Sequence, residues 1–193
     1  MKKIVINPFE NYSENKLLLV ATVGNIVLLF LSFQFNTAFY GNLKINPTDN
    51  ITLKAVLEQH FIILFTTVTV LFVVGRYLNQ KTRFVDIFAT CLLSRIVFCL
   101  LPLININLVM FQISKKIIAS AGTSNSEIAI TNSLSLVLFF SVIILFTIIW
   151  FIVLLYNGFK TATNAKGTKS IVLFIAALFV VETLSQILIK YIK

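Results

Sequence analysis

The chain has 193 residues, 58% of them hydrophobic and 12% charged, about half the charged share of a soluble domain. Nineteen Phe stand against one His, two Cys and six Gly, which excludes a disordered chain, a disulfide framework, a zinc module and a water-soluble enzyme core. A globule of this size leaves too much area in water to hide such a surface, so most of the chain has lipid as its solvent.

Five apolar runs reach the ~20 residues that a hydrocarbon core requires: 17–35, 61–78, 84–106, 134–156 and 171–189. They are apolar all round, without the ten-residue alternation of a β-barrel, and backbone polar groups in lipid must pair internally. The expected fold is therefore all-α, a polytopic membrane helix bundle with five transmembrane helices in one domain, 1–193. Trp150, Phe151 and Tyr156 fall toward the end of span four, where aromatics favour the headgroup level. Pro102 is expected to kink or end span three, with Asn105 and Asn107 after it.

The connections are polar. Residues 36–55 carry Gly41, Asn42, Asn46-Pro47 and Asp49-Asn50, all turn formers, and read as a loop. Residues 79–83 form a turn so short that spans two and three are antiparallel neighbours. Residues 112–133 read as a loop around Gly122, after an interfacial helix that includes Lys115 and Lys116; 157–170 is polar and basic. The first apolar run begins at Leu17, is too long for a signal h-region and has no small-x-small cleavage site. It reads as a retained span.

The net charge of +9 does not point to nucleic acid, because the bases flank apolar runs instead of forming a stripe. On the N-terminal side of a five-span arrangement lie Lys2, Lys3, Lys16, Arg76, Lys81, Arg83, Lys160, Lys166 and Lys169. The far side has Lys44, Lys54, Lys115, Lys116, Lys190 and Lys193. That excess predicts a multi-pass protein of the cell membrane with a cytoplasmic N-terminus and an external C-terminus. Lys81, Arg83 and Asp86 mark the cytoplasmic edge of span three, where Asp86 suits a helix N-terminus.

Arg95 and Glu182 are the intramembrane charges, each about eleven residues into a span and so at matched depth, roughly 16 Å from the edge at 1.5 Å per residue. Ser185 and Gln186 share the face of Glu182, giving an expected polar centre of Arg95, Glu182, Ser185 and Gln186. Arg95 and Glu182 are expected to approach each other, as a register-fixing pair or as an ion relay; one pair without further acids favours the structural role. Cys91 and Cys99 flank Arg95 at i−4 and i+4, about 12 Å apart along a helix and beyond disulfide reach. His60 belongs near the opposite membrane face, so no metal site and no cofactor is expected. Asn11-Tyr12-Ser13 and Asn50-Ile51-Thr52 fit a glycosylation pattern that is frequent by chance. No P-loop, H-E-x-x-H or G-x-S-x-G occurs.

Five closely spaced spans behind a short tail containing Asn7-Pro8-Phe9-Glu10, the stretch from Asn79-Gln80-Lys81-Thr82-Arg83 to Phe84-Val85-Asp86-Ile87, and Ser94-Arg95 inside span three resemble the YIP1 family, most of all its short bacterial members. The resemblance covers nearly the whole chain. It implies an integral membrane protein without an established reaction. Eukaryotic members act in vesicle traffic with Rab-type GTPases, but their acidic Tyr-Gly-Pro segment and intramembrane Gly-Tyr pair are missing here, so that activity does not carry over. The expected function is a non-enzymatic bundle that organises membrane or protein partners. A small transporter or channel component using an intramembrane Arg/Glu pair is the alternative, and a membrane enzyme acting on lipid or thiols ranks third. Expected partners are membrane lipids and either another protein or a second copy.

Overall fold

The computed structural model describes residues 7–10, 12–120 and 126–192. Lys2, Lys3, Asn11, residues 121–125 with Gly122, and Lys193 lie outside the described residues. Six helices carry the fold: α1 Glu14–Gln34, α2 Leu53–Leu78, α3 Phe84–Arg95, α4 Val109–Ser120, α5 Ser126–Thr163 and α6 Thr168–Ile192. Five segments are long and apolar enough to cross a membrane, the third combining α3, α4 and the chain between them. Large apolar side chains such as Phe30, Phe61, Phe139 and Phe179 point outward, as a bundle solvated by lipid tails requires.

The third span sits at the centre. Its most apolar window is 72% buried, against 11–33% for the other four. α1 and α5 pack on α3, and α2 packs chiefly on α6. Phe98 links two layers of the core, its ring 6.1 Å from Phe39 and 4.5 Å from Phe151. Farther toward the N-terminal side, Phe159 and Phe174 join α5 to α6 at 5.4 Å. Phe151 is fully buried and Tyr156 meets Phe174 edge-on at 5.2 Å. Phe151 belongs to the core and Tyr156 packs against it, and α5 continues past both to Thr163.

Helix hydroxyls are satisfied locally, as lipid demands. Thr22, Ser32, Thr90, Thr147 and Thr163 each donate to the carbonyl four residues back. The tight connection between α2 and α3 is also closed by side chains: Thr82 Oγ1 donates to Gly75 O at 3.0 Å and Asn79 Nδ2 to Thr163 O at 2.9 Å. At the same end Arg83 forms a two-bond pair with Glu14 at 2.7 and 3.0 Å. That hydrogen bond is the main reason the exposed guanidinium is held more firmly protonated than usual.

Several expectations change. The connection 112–133 is largely helical, with α4 running to Ser120 and α5 starting at Ser126, and 157–163 belongs to α5. Span three is not one helix kinked at Pro102; regular α-helix stops at Arg95, seven residues earlier. It continues as 3₁₀ turns, Ile96–Leu100 and Pro102–Leu108, before α4 begins. Asn107 and Leu108 take left-handed backbone (φ 53 and 60), so the break near the outer edge is sharp. Nor is 36–55 a surface loop. Strands β1 Thr37–Phe39 and β2 Ile45–Pro47 pair antiparallel, Phe39 opposite Ile45, and Thr37, Ala38, Phe39 and Asn42 are buried. Irregular backbone at membrane depth is tolerated where protein covers it, and here the bundle does so.

Candidate functional site

The hairpin inserts its tip between spans two, three and five. Residues 36–52 return to their starting level through a neck that is hydrogen-bonded on both sides. Thr48 N donates to Asn36 O at 2.9 Å, and Ile51 N to Asn36 Oδ1 at 3.1 Å. Asn36 is left-handed (φ 48), a conformation Asn tolerates better than most residues. From the broken part of span three, Asn105 Nδ2 donates to Phe35 O at 2.8 Å while its Oδ1 accepts from Phe111 N at 3.1 Å. One side chain thus joins the end of span one, the neck and the start of α4.

Below the neck, Phe39 N donates to Gln59 Oε1 at 3.0 Å. The Phe39 ring stands edge-on to His60 at 5.1 Å. His60 in turn contacts Val56 O at 3.0 Å and Ser32 Oγ at 3.5 Å. Both partners are protein groups that fix the ring, and no His/Cys/Asp/Glu group among the described residues could hold a metal.

Asn42 occupies the tip. Its Nδ2 donates to Thr67 Oγ1 at 2.9 Å, and its Oδ1 accepts from Arg95 Nη1 at 3.0 Å. Its backbone N–H and that of Leu43 donate to Glu182 Oε2 at 2.9 and 3.1 Å. Two successive N–H groups aimed at one oxygen form a nest of the kind that binds anions, and here the anion belongs to the chain itself. Gln186 Nε2 donates to the other carboxylate oxygen at 2.9 Å. A Cβ on Gly41 would collide with the Glu182 carboxylate, so glycine is what lets the turn come this close. Thr67 lies eleven residues before Leu78 and Arg95 eleven after Phe84. At 1.5 Å per residue both are about 16 Å from the N-terminal-side ends of their helices.

Arg95 and Glu182 therefore meet the same asparagine, although Glu182 lies fourteen residues into α6 against eleven for Arg95 in α3, and they do not pair with each other. The ion pairs among the described residues are Arg83–Glu14 and Lys54–Glu58. The direct contact expected from sequence fails because the hairpin tip lies between the two charges and Asn42 serves both. Arg95 is 1% exposed, and its Nη2 has no hydrogen-bond partner among the described residues. Ser185 turns away from Glu182, its hydroxyl 2.8 Å from Thr66 Oγ1 and donating to Val181 O. Lys81 and Asp86 stay at the N-terminal-side edge with Arg83; Asp86 occupies the first turn of α3. Cys91 is buried, Cys99 is partly exposed, and both are thiols.

The end of regular helix beside Arg95 has its own support. In an unbroken helix Ile96 N–H would bond to Leu92 O, but it bonds to Leu93 O instead. Asn25 Nδ2, from α1, donates to Leu92 O at 2.7 Å. A Cβ on Gly24 would run into Ile96, so this glycine brings α1 against the break.

Two features seen in the sequence, a five-span apolar bundle and a tight Asn79–Arg83 connection leading into the span that carries Ser94-Arg95, now stand in one structure. The Yip1 domain family model matches residues 12–189. The chain belongs to the YIP1 family. It is an integral, multi-pass membrane protein of that type. No curated protein and no solved structure matches the chain. The matched region contains the hairpin, both intramembrane charges and all five spans except the last three residues of the fifth.

Asn42, Gly41, Thr67, Gln59, Asn25 and Asn105 are the site residues that sequence reasoning missed. One signal was present: Thr37-Ala38-Phe39-Tyr40 places three apolar residues in a row, which is unusual for a connection facing water.

Proposed function

We propose that this YIP1-family chain is a non-enzymatic bundle of the cell membrane that organises lipid and protein partners, a second copy among them, and has no dealings with nucleic acid. The N-terminus faces the cytoplasm and the C-terminus lies outside, as the excess of bases on the N-terminal side favours. One observation carries the non-enzymatic reading. The oxygens of Glu182 are taken up by two backbone N–H groups and Gln186, so the intramembrane acid holds the hairpin in place instead of facing a substrate. The same engagement supports a structural polar centre in which Arg95, Glu182 and Gln186 are joined through Asn42 and Leu43 while Ser185 bonds apart to Thr66, and which fixes how spans two, three and five sit.

Reconstituted vesicles test this. Purified protein should give no proton, ion or solute flux above empty vesicles, and Glu182→Gln should change thermal stability without changing permeability. A flux that Glu182→Gln abolishes would replace the organising reading with a transporter. Co-purification from native membrane should recover defined lipid or protein partners; recovery of nothing but bulk lipid would contradict the organising role.

A further inference from the structure

Beside the break in span three, α1, the 3₁₀ turn and α5 leave a groove of about 710 Å³, within the ~300–1,000 Å³ range of small-ligand sites. Its walls are apolar, built from Val20 of α1, Ile96 and Val97 of the broken span, and Trp150 of α5. Its mouth, on the N-terminal side, is framed by Tyr12 and Lys16. The groove follows from the local structure. A 3₁₀ turn is narrower than an α-helix and rises ≈2.0 Å per residue, so the side chains after Arg95 leave the register that would fill the space between α1 and α5.

We propose that this groove holds one acyl chain of an anionic glycerophospholipid, whose phosphate sits on Lys16 and the Tyr12 hydroxyl. An apolar face alone says nothing in a bilayer, where every outer face is apolar. This one is concave, and a base closes its headgroup end. Lys16 has no ion pair among the described residues, whereas the neighbouring Arg83 is neutralised by Glu14. Among the described residues Lys16 is therefore the positive charge at this mouth still available to a phosphate, and its alkyl stem can lie along the groove while the ammonium reaches the headgroup level. A second copy fits less well. Two copies inserted with the same orientation carry Lys16 at the same depth, so a two-fold contact across the groove would bring two bases together. The inference deepens the organising reading by naming the lipid class, and it does not depend on whether the protein conducts.

The experiment is native mass spectrometry of the full chain, exchanged into dioleoylphosphatidylglycerol or dioleoylphosphatidylcholine at equal concentration. One retained lipid is expected, with phosphatidylglycerol favoured. Lys16→Gln should cut that preference about fivefold, the effect of a single base near an anionic surface, and Lys16→Arg should keep it. Val20→Trp, which fills the groove from an already exposed position, should lower retention of both lipids while the melting temperature stays unchanged. Equal retention of the two lipids by the wild-type chain, or an unchanged preference in Lys16→Gln, would overturn the proposal. So would a Val20→Trp protein that keeps its lipid but loses a dimer, since a second copy would then be the occupant. None of these outcomes bears on flux, so failure here is distinguishable from failure of the organising reading.

Discussion

Arg95 of span three donates to the side-chain carbonyl of Asn42 at 3.0 Å, across 53 residues of sequence. The backbone of the same asparagine is bound to Glu182. A residue in what reads as a connecting loop therefore bonds to both charges that a sequence reading would pair directly. Asn42 should be worth more to the fold than either charge.

Asn42→Ala leaves Arg95 as an unpartnered buried cation and removes the bond to Thr67. Losing the partner of a buried hydrogen-bonding group costs about 1–3 kcal/mol, and more when that group is charged. Arg95→Leu strands only a neutral carbonyl, at about 1–3 kcal/mol. Thermal melts in one detergent should rank Asn42→Ala below Arg95→Leu; the reverse order would count against the hairpin as the main partner.

Gly41→Ala puts a methyl group against the Glu182 carboxylate. Overpacking of this kind costs about 1–3 kcal/mol, and proteolysis should find the hairpin more accessible. Glu182→Ala in the same chain removes the clash, so the double variant should lose less than the two single losses combined. Simple additivity would mean that the turn does not approach the carboxylate.

Asn25→Leu removes the donor to Leu92 O beside the helix break. Interhelical hydrogen bonds in membranes average ~0.6 kcal/mol and reach ~1.7, so a loss near the upper value is expected for a carbonyl whose usual donor, Ile96 N–H, bonds to Leu93 O instead. Thr22→Val, whose hydroxyl bonds only within α1, serves as the near-neutral control. Equal melting temperatures for the two variants would show that the break does not depend on α1.

The orientation has a direct check. Reporter fusions after Lys16, Gln80 and Lys166 should read cytoplasmic, and fusions after Asn50, Gly122 and Lys193 external. A cytoplasmic reading after Lys193 would contradict the five-span arrangement.

The spans were legible in the sequence because their signal is bulk hydrophobicity, which lipid enforces residue by residue. That Arg95 and Glu182 lie toward the same part of the bundle was legible too, although α6 begins three residues earlier than the apolar run. The partner between them was not. Gly41 and Asn42 are turn formers in water and inside a protein alike, so composition cannot tell a surface loop from one folded back among helices. The end of helix at Arg95 was equally hidden: Ile96-Val97-Phe98 suits a continuous helix, and only Asn25 and Gly24 on another span show why the chain departs from it. Pro102, the strongest local signal, marks the second 3₁₀ turn and not the point where α-helix ends.

The central claim is that Asn42, and not a direct Arg95–Glu182 contact, holds the polar centre together. Double-mutant cycles on folding stability, measured for Arg95→Leu with Asn42→Ala and for Arg95→Leu with Glu182→Leu, test it most directly. Contacting residues couple by about 0.5–3 kcal/mol, and residues without a shared contact add nearly independently. The Arg95–Asn42 cycle should show the larger coupling, with Arg95→Leu recovering much of what Asn42→Ala loses. A larger coupling between Arg95 and Glu182, with near-additivity between Arg95 and Asn42, would contradict the account.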